Sequence, residues 1–170
     1  MAARNVFLVN VADLRRMAGS RKPVHLAAPL GAMNVVDTVV SPDSDVTVEV
    51  DLESVDDGIV ATGRVAAPWT SVCRRCLGPA VGVTEVEVRE IFSPHPIDED
   101  IYALQHDQVD LAEMARDAIV LELPLAPLCR QDCEGLGSIT EEELEAEEPP
   151  APPLDPRWAA LEDIKRRLDD

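Results

Sequence analysis

The chain has 170 residues, enough for one domain plus a tail; 46% are hydrophobic but only 3% aromatic. Val, Leu, Ile and Ala must therefore fill most of the core. The formal net charge of −18 argues against a protein that wraps nucleic acid, since phosphates would be repelled. It suits a basic partner, with solubility or adaptation to salt as the bland alternative.

The charge is uneven. Residues 1–24 carry Arg4, Arg15, Arg16, Arg21 and Lys22 against Asp13 alone, whereas residues 26–63 and 132–150 hold eight acids each and no Lys or Arg. No run of about eighteen apolar residues exists, so no membrane span is expected. The start at Met1–Val6 lacks the apolar stretch of a secretory signal. Four cysteines without such a signal point to a reducing cytoplasm, where metal is a better expectation than disulfide.

In chain order, Val6–Val9 reads as a first strand. Val11 to Ala18 has apolar residues at helical spacing and stops at Gly19. Extended pieces are expected at 24–30 and 34–40. The clearest strand follows: Val46, Val48, Val50 and Leu52 alternate with Thr47, Glu49, Asp51 and Glu53. This period of two makes one apolar and one acidic face. Asp56-Asp57-Gly58 supplies a hairpin turn, and the return strand runs from Ile59 to Ala67, where Pro68 is expected to end it. Residues 81–92 read as another strand. Val81 and Val83 fall on one face and Val86 and Val88 on the other, so a bulge near Thr84-Glu85 is expected. Ile101–Leu104 is a short extended piece.

Asp110 has the character of an N-cap, with Glu113 three residues on as in a capping box. Leu111, Met114, Ala115 and Ala118 then form one helical stripe. Pro124 and Pro127 end this helix. Residues 134–154 read as an acidic, Pro-rich linker. Asp155-Pro156 opens a last helix over 155–170, with Trp158, Leu161, Ile164 and Leu168 as its apolar stripe.

The chemistry-bearing residues are the cysteines. Cys73-Arg74-Arg75-Cys76 and Cys129-Arg130-Gln131-Asp132-Cys133 form two pairs, separated by fifty-two residues. Together they can complete a tetrahedral S4 shell of the kind zinc accepts. The long gap means that such an ion would close a tertiary structure rather than a compact finger. The alternatives are two reduced pairs that never meet, or a redox pair. A thioredoxin-like C-x-x-C should open a helix, but Leu77-Gly78-Pro79 follows here. No phosphate loop, dinucleotide fingerprint, zinc-protease motif or nucleophile elbow is present. His25, His95 and His106 share no partner spacing. With all four thiolates on one ion no open ligand position remains, so the chain is expected not to be an enzyme.

Several features in order resemble the YceD family, the large ribosomal RNA subunit accumulation proteins. They are Cys73-Arg74-Arg75-Cys76-Leu77, Val109-Asp110-Leu111 opening a helix, and the approach from Leu121 through Pro124 and Pro127 to Cys129. Cys133-Glu134-Gly135-Leu136 and Asp155-Pro156-Arg157-Trp158 follow. Many relatives continue with further cysteines; Gly137 stands at that place here. The resemblance implies a bacterial, cytoplasmic, non-enzymatic ribosome-biogenesis factor that helps large-subunit ribosomal RNA accumulate.

The sequence therefore predicts an α+β fold: an antiparallel sheet of hairpins with packed helices and a four-cysteine knuckle. The core spans 1–133, the linker 134–154 and the terminal helix 155–170. Structural zinc is expected on Cys73, Cys76, Cys129 and Cys133. The expected partner is a basic ribosomal protein of the large subunit, held by the acidic surfaces. The competing reading is direct binding of ribosomal RNA or a pre-ribosomal particle through Arg74, Arg75 and the basic N-terminal segment. A cysteine-based redox protein is the third.

Overall fold

A computed structural model of the protein describes residues 5–56, 58–98 and 100–136. The chain divides into two units, Met1–Gly135 and Leu136–Asp170. Beyond residue 136, the expected linker and the whole terminal helix lie outside the described residues. The described part holds nine strands: β1 (Leu8–Asn10), β2 (Arg21–Pro29), β3 (Met33–Val35), β4 (Thr38–Val40), β5 (Asp45–Val55), β6 (Gly58–Val72), β7 (Pro79–Ser93), β8 (Tyr102–Gln105) and β9 (Gln108–Asp110). The two helices among the described residues are α1 (Ala12–Arg15) and α2 (Leu111–Glu122).

All nine strands join one sheet. β6 is its spine. It pairs with β7 along its length, from Ile59↔Phe92 to Val72↔Pro79. On its other side it pairs first with β5, from Val55↔Gly58 to Thr47↔Ala66, and then with β4 at Val39↔Thr70. β2 extends the sheet beyond β5. Beyond β7, β8 joins in parallel at Phe92↔Tyr102 and Ser93↔Ala103, followed by β9 and β1.

This corrects the α+β expectation. The protein is mostly β, with a curled mixed sheet in place of an antiparallel meander layered with helices. Strands run through residues where the sequence suggested breaks, and the expected 11–18 helix shrinks to α1. Pro68 does not end β6. It lies where β5 has left and β4 has not yet joined, so β6 is locally an edge and tolerates a missing N–H. The expected 34–40 strand is a tight hairpin of β3 and β4, turned at Val36 with φ 55°. β7 carries no bulge: its register with β6 is continuous, and Ala80, Thr84, Val88 and Phe92 face the core in regular alternation. Val81 and Val83 instead stand on the outer face.

The core forms on the other face. Val46, Val48, Val50 and Leu52 of β5 pack with Ile59, Ala61 and Val65 of β6 and with Phe92. α2 closes over them with Leu111, Met114, Ala115 and Ile119. Its start is fixed by Asp110, whose carboxylate accepts from Ala112 N at 2.9 Å, a standard N-cap. At the far end of the β6–β7 ladder the inward residues become small. Trp69 sits opposite Gly82, and a Cβ on Gly82 would lie 2.4 Å from the indole. Trp69 packs against both the main core and a second cluster built on Cys73, Ala80 and Cys133.

The outer face is not the plain acidic surface that the β5 alternation suggests. Neighbouring strands bring cations to it. Arg64 of β6 reaches Glu49 at 2.7 Å and Glu85 at 3.5 Å. His25 of β2 meets Glu49 at 3.0 Å, and Arg21 meets Glu53 at 2.9 Å. The Arg64 guanidinium holds the Glu49 carboxyl below its usual range.

The Trp69–Gly82 contact gives a direct test. Gly82→Val should destabilise the protein by about 1–3 kcal/mol in urea unfolding, because the new side chain must push the indole away. Unchanged stability would show that the close approach is not a constraint.

Candidate metal centre

The first cysteine pair occupies the β6–β7 loop, residues 73–78. Cys73 N donates to Gly78 O at 2.8 Å and Leu77 N donates to Cys73 O at 3.0 Å. Leu77 takes φ 59°, a conformation unusual for a non-glycine residue. The loop thus curls back on itself and leads into β7. No helix follows Cys76, so the geometry of a thioredoxin-type pair is absent.

The second pair arrives from α2. The buried Thr38 hydroxyl donates to Pro124 O at 2.8 Å and fixes the exit from the helix. Arg74 N donates to Pro127 O at 3.0 Å. The Arg74 guanidinium spans Leu125 O and Asp37, each at 3.4 Å. Arg75 Nη1 donates to Cys133 O at 2.9 Å. Both arginines of the first pair therefore tether the segment that carries the second. Sequence reasoning missed this role for Arg74, Arg75, Thr38 and Trp69. Only the position of the arginines inside C-x2-C, and of Trp69 four residues ahead of it, hinted at one.

The tethers bring all four sulfurs together, within 4.8 Å of one another. Cys73 Sγ lies 3.8 Å from Cys133 Sγ, and Cys76 Sγ lies 3.6 Å from Cys129 Sγ. A disulfide would need about 2.05 Å, and all four thiols are free. A tetrahedral zinc with bonds of about 2.3 Å has sulfur–sulfur edges of about 3.8 Å. The two spacings match those edges, and the donor set is the soft thiolate type that zinc takes. The four cysteines can thus hold a metal ion such as zinc.

The surroundings suit thiolates unequally. Backbone N–H groups of Cys76, Cys129 and Arg75 aim at Cys73 Sγ and lower its pKa to about 6. Such donors are the usual outer support of metal-bound sulfur. The Cys129 thiol is pushed up to about 12, because it shares hydrogen bonds with Cys133 and Cys76 in a crowded group. Crowding of this kind is relieved when a cation replaces the protons. Cys73 and Cys133 are buried, and Cys129 is exposed.

Fold and site together define a β-sheet protein in which a four-cysteine centre joins a hairpin tip to the segment after α2. The chain belongs to the YceD family. The family model, described as large ribosomal RNA subunit accumulation protein YceD, matches residues 61–165 and so includes both cysteine pairs. An uncharacterised protein of Mycobacterium tuberculosis is 34% identical over 168 residues, covering 90% of this chain and 78% of the relative. One of Mycobacterium leprae is 33% identical over 130 residues, covering 70% and 58%. The uncharacterised protein YlbN of Bacillus subtilis is 27% identical over 106 residues, covering 58% and 61%. No solved structure matches. No helix among the described residues is long and apolar enough to cross a membrane.

Arg75 can be tested apart from the thiols. Arg75→Ala should cost about 1–3 kcal/mol, the range for a hydrogen bond from a charged donor. Thiol labelling of Cys133 should quicken at the same time. Labelling at the parent rate would show that Arg75 does not hold the second segment.

Proposed function

We propose that this protein is a non-enzymatic factor supporting accumulation of large-subunit ribosomal RNA, and that it acts by holding a basic ribosomal protein of the large subunit. One zinc ion on Cys73, Cys76, Cys129 and Cys133 closes its fold. The observation that carries the reading is membership of a family described by large ribosomal RNA subunit accumulation, over a span containing both cysteine pairs. Four protein thiolates fill a tetrahedral shell and leave no position for water or substrate, which supports a structural ion.

The charge supports a basic partner over RNA. Residues 26–63 and 132–150 hold sixteen acids, eight each, without a Lys or Arg. Glu49 and Glu53 are matched by neighbouring cations, so they contribute less than their sequence pattern suggests. The run from Glu141 to Glu148 supplies the densest remaining charge. The RNA reading has weaker support, because Arg74 and Arg75 both engage the second cysteine segment. A redox reading draws only on the lowered Cys73 pKa, and that thiol is buried.

Protein purified without chelator should carry about one zinc per chain. Cys129→Ser should loosen it and lower the melting temperature by about 5 °C or more, since binding energy at a structural site is folding energy. Metal-free protein with four freely reactive thiols and unchanged melting would refute the site.

Capture of large-subunit proteins from cells should survive nuclease and weaken as salt rises. Replacing Glu141, Glu142, Glu143, Glu145, Glu147 and Glu148 with Gln should weaken it without unfolding the core. Depletion should lower large-subunit relative to small-subunit ribosomal RNA. Capture that survives the Gln replacements but vanishes with nuclease, and with loss of Arg74 and Arg75, would establish the RNA reading instead.

A further inference from the structure

β7 is paired on one side only for most of its length. β6 runs beside it throughout, but on the opposite edge only Phe92 and Ser93 meet β8. From Ala80 to Ile91 every second residue therefore directs its backbone N–H and C=O outwards. Among the described residues, no strand other than β6 pairs with this stretch, and no turn, loop or cap backbone hydrogen bond reaches it.

Open edges are usually blunted by proline, by charged side chains (lysine above all) or by bulges. The outer edge of the sheet at β2 follows that rule, with Lys22, Pro23 and Pro29. β7 has no proline, lysine or bulge between Ala80 and Ser93, and its Ala80–Thr84 part carries no charge at all. It also displays apolar surface: Val81 and Val83 are 72% and 66% exposed on the outer face.

On the outer face the charges balance: Glu85 and Glu87 stand with Arg89 of the same strand and with Arg64 of β6, which reaches Glu85 at 3.5 Å. The excess acid lies on the opposite face. There Glu90 faces into a cleft of about 850 Å³ between the edge, the start of β8 and α2, shared with Asp100, Glu113 and Asp117. Partial burial, with the nearby Asp100 charge, pushes the Glu90 carboxyl up. A cation in the cleft would relieve both effects. Nucleic acid would meet repulsion here and has no strand ladder to add.

Resting on the basic-partner reading above, we infer that the β7 edge from Ala80 to Ile91 accepts an extended strand of a basic protein. The added strand continues the sheet through backbone hydrogen bonds. Its apolar side chains cover Val81 and Val83 on the outer face, and its Lys or Arg side chains meet Glu90 and the acidic cleft on the other.

The probe is a fluorescent peptide of alternating lysine and valine, long enough to span the edge, added to the full chain. Its control carries N-methyl groups on alternate backbone nitrogens, which keeps the charge and removes donors. The parent peptide should bind about tenfold more tightly than the control, the worth of one or two lost hydrogen bonds. On binding, amide exchange should slow at alternate residues between Ala80 and Ile91. Glu90→Lys should weaken the parent peptide about tenfold while the melting temperature holds. Equal binding of both peptides overturns strand addition but leaves capture by charge intact. Failure of both peptides overturns the edge site, while failure to capture ribosomal protein from cells would strike the basic-partner reading itself. Edge amides already protected in the free protein also overturn the proposal. Protection at every concentration means that the chain covers its own edge, and concentration-dependent protection means that a second copy does.

Discussion

The unbroken register between β6 and β7 is the constraint on which the other parts depend. Because the alternation never slips from Ile59↔Phe92 to Val72↔Pro79, one face of this long hairpin stays inward over its whole length. At one end that face carries Ile59 and Phe92 into the main core. At the other it carries Trp69, opposite Gly82, towards the cysteines. A one-residue slip would reverse every side chain. It would place Trp69 on the outside and turn Cys73 away from Cys133. The loop at 73–78 is therefore aimed by the ladder beneath it, and the four-cysteine cluster inherits its geometry from the sheet.

The second cysteine pair has no such ladder. It follows α2 through two prolines and is held by individual bonds from Thr38, Arg74 and Arg75 to backbone carbonyls. The first pair is thus positioned by a strand ladder and the second by these single tethers. An ion across both would join residues more than fifty positions apart, closing a loop that contains β7, β8, β9 and α2. Closing so long a loop is entropically costly, and metal bonds are strong enough to offset that cost. The small aliphatic core, poor in aromatic side chains, makes such a closure more useful than it would be in a richly packed domain.

The parts legible from sequence are those set by local alternation and by ligand chemistry. Val46 to Leu52 declared a half-buried strand. The Asp-Asp-Gly run marked where the hairpin reverses, although Gly58 itself is the first residue of β6. The two cysteine spacings declared that the four thiols meet. The parts that were not legible depend on neighbours far away in the chain. Pro68 reads as a strand end until the gap between β5 and β4 is known. Val81 and Val83 read as core until Trp69 is seen to need Gly82 beneath it. Val36-Asp37 reads as mid-strand until β4 is found beside β6. The α+β expectation failed because each of these breaks, taken locally, shortened the strands and left apparent room for helices.

The charges show the same dependence on folding. In sequence the basic N-terminal segment and the acidic stretch after it look like two separate surfaces. Folding lays them against each other where Arg21 reaches Glu53, and it carries Arg15 to Asp107, an acid from far along the chain. Exposed pairs of this kind add little stability. Their effect is on what remains for a partner. The cations of β2 and α1 become internal counter-ions, so the segment offers little free positive charge to a phosphate backbone. Among the described residues, the largest group of acids that no salt bridge engages lines the cleft beside α2, where Glu90, Asp100, Glu113 and Asp117 meet. Partial burial, with the nearby Asp100 charge, raises the cost of ionising Glu90 in that cleft, and a cation placed there would lower it.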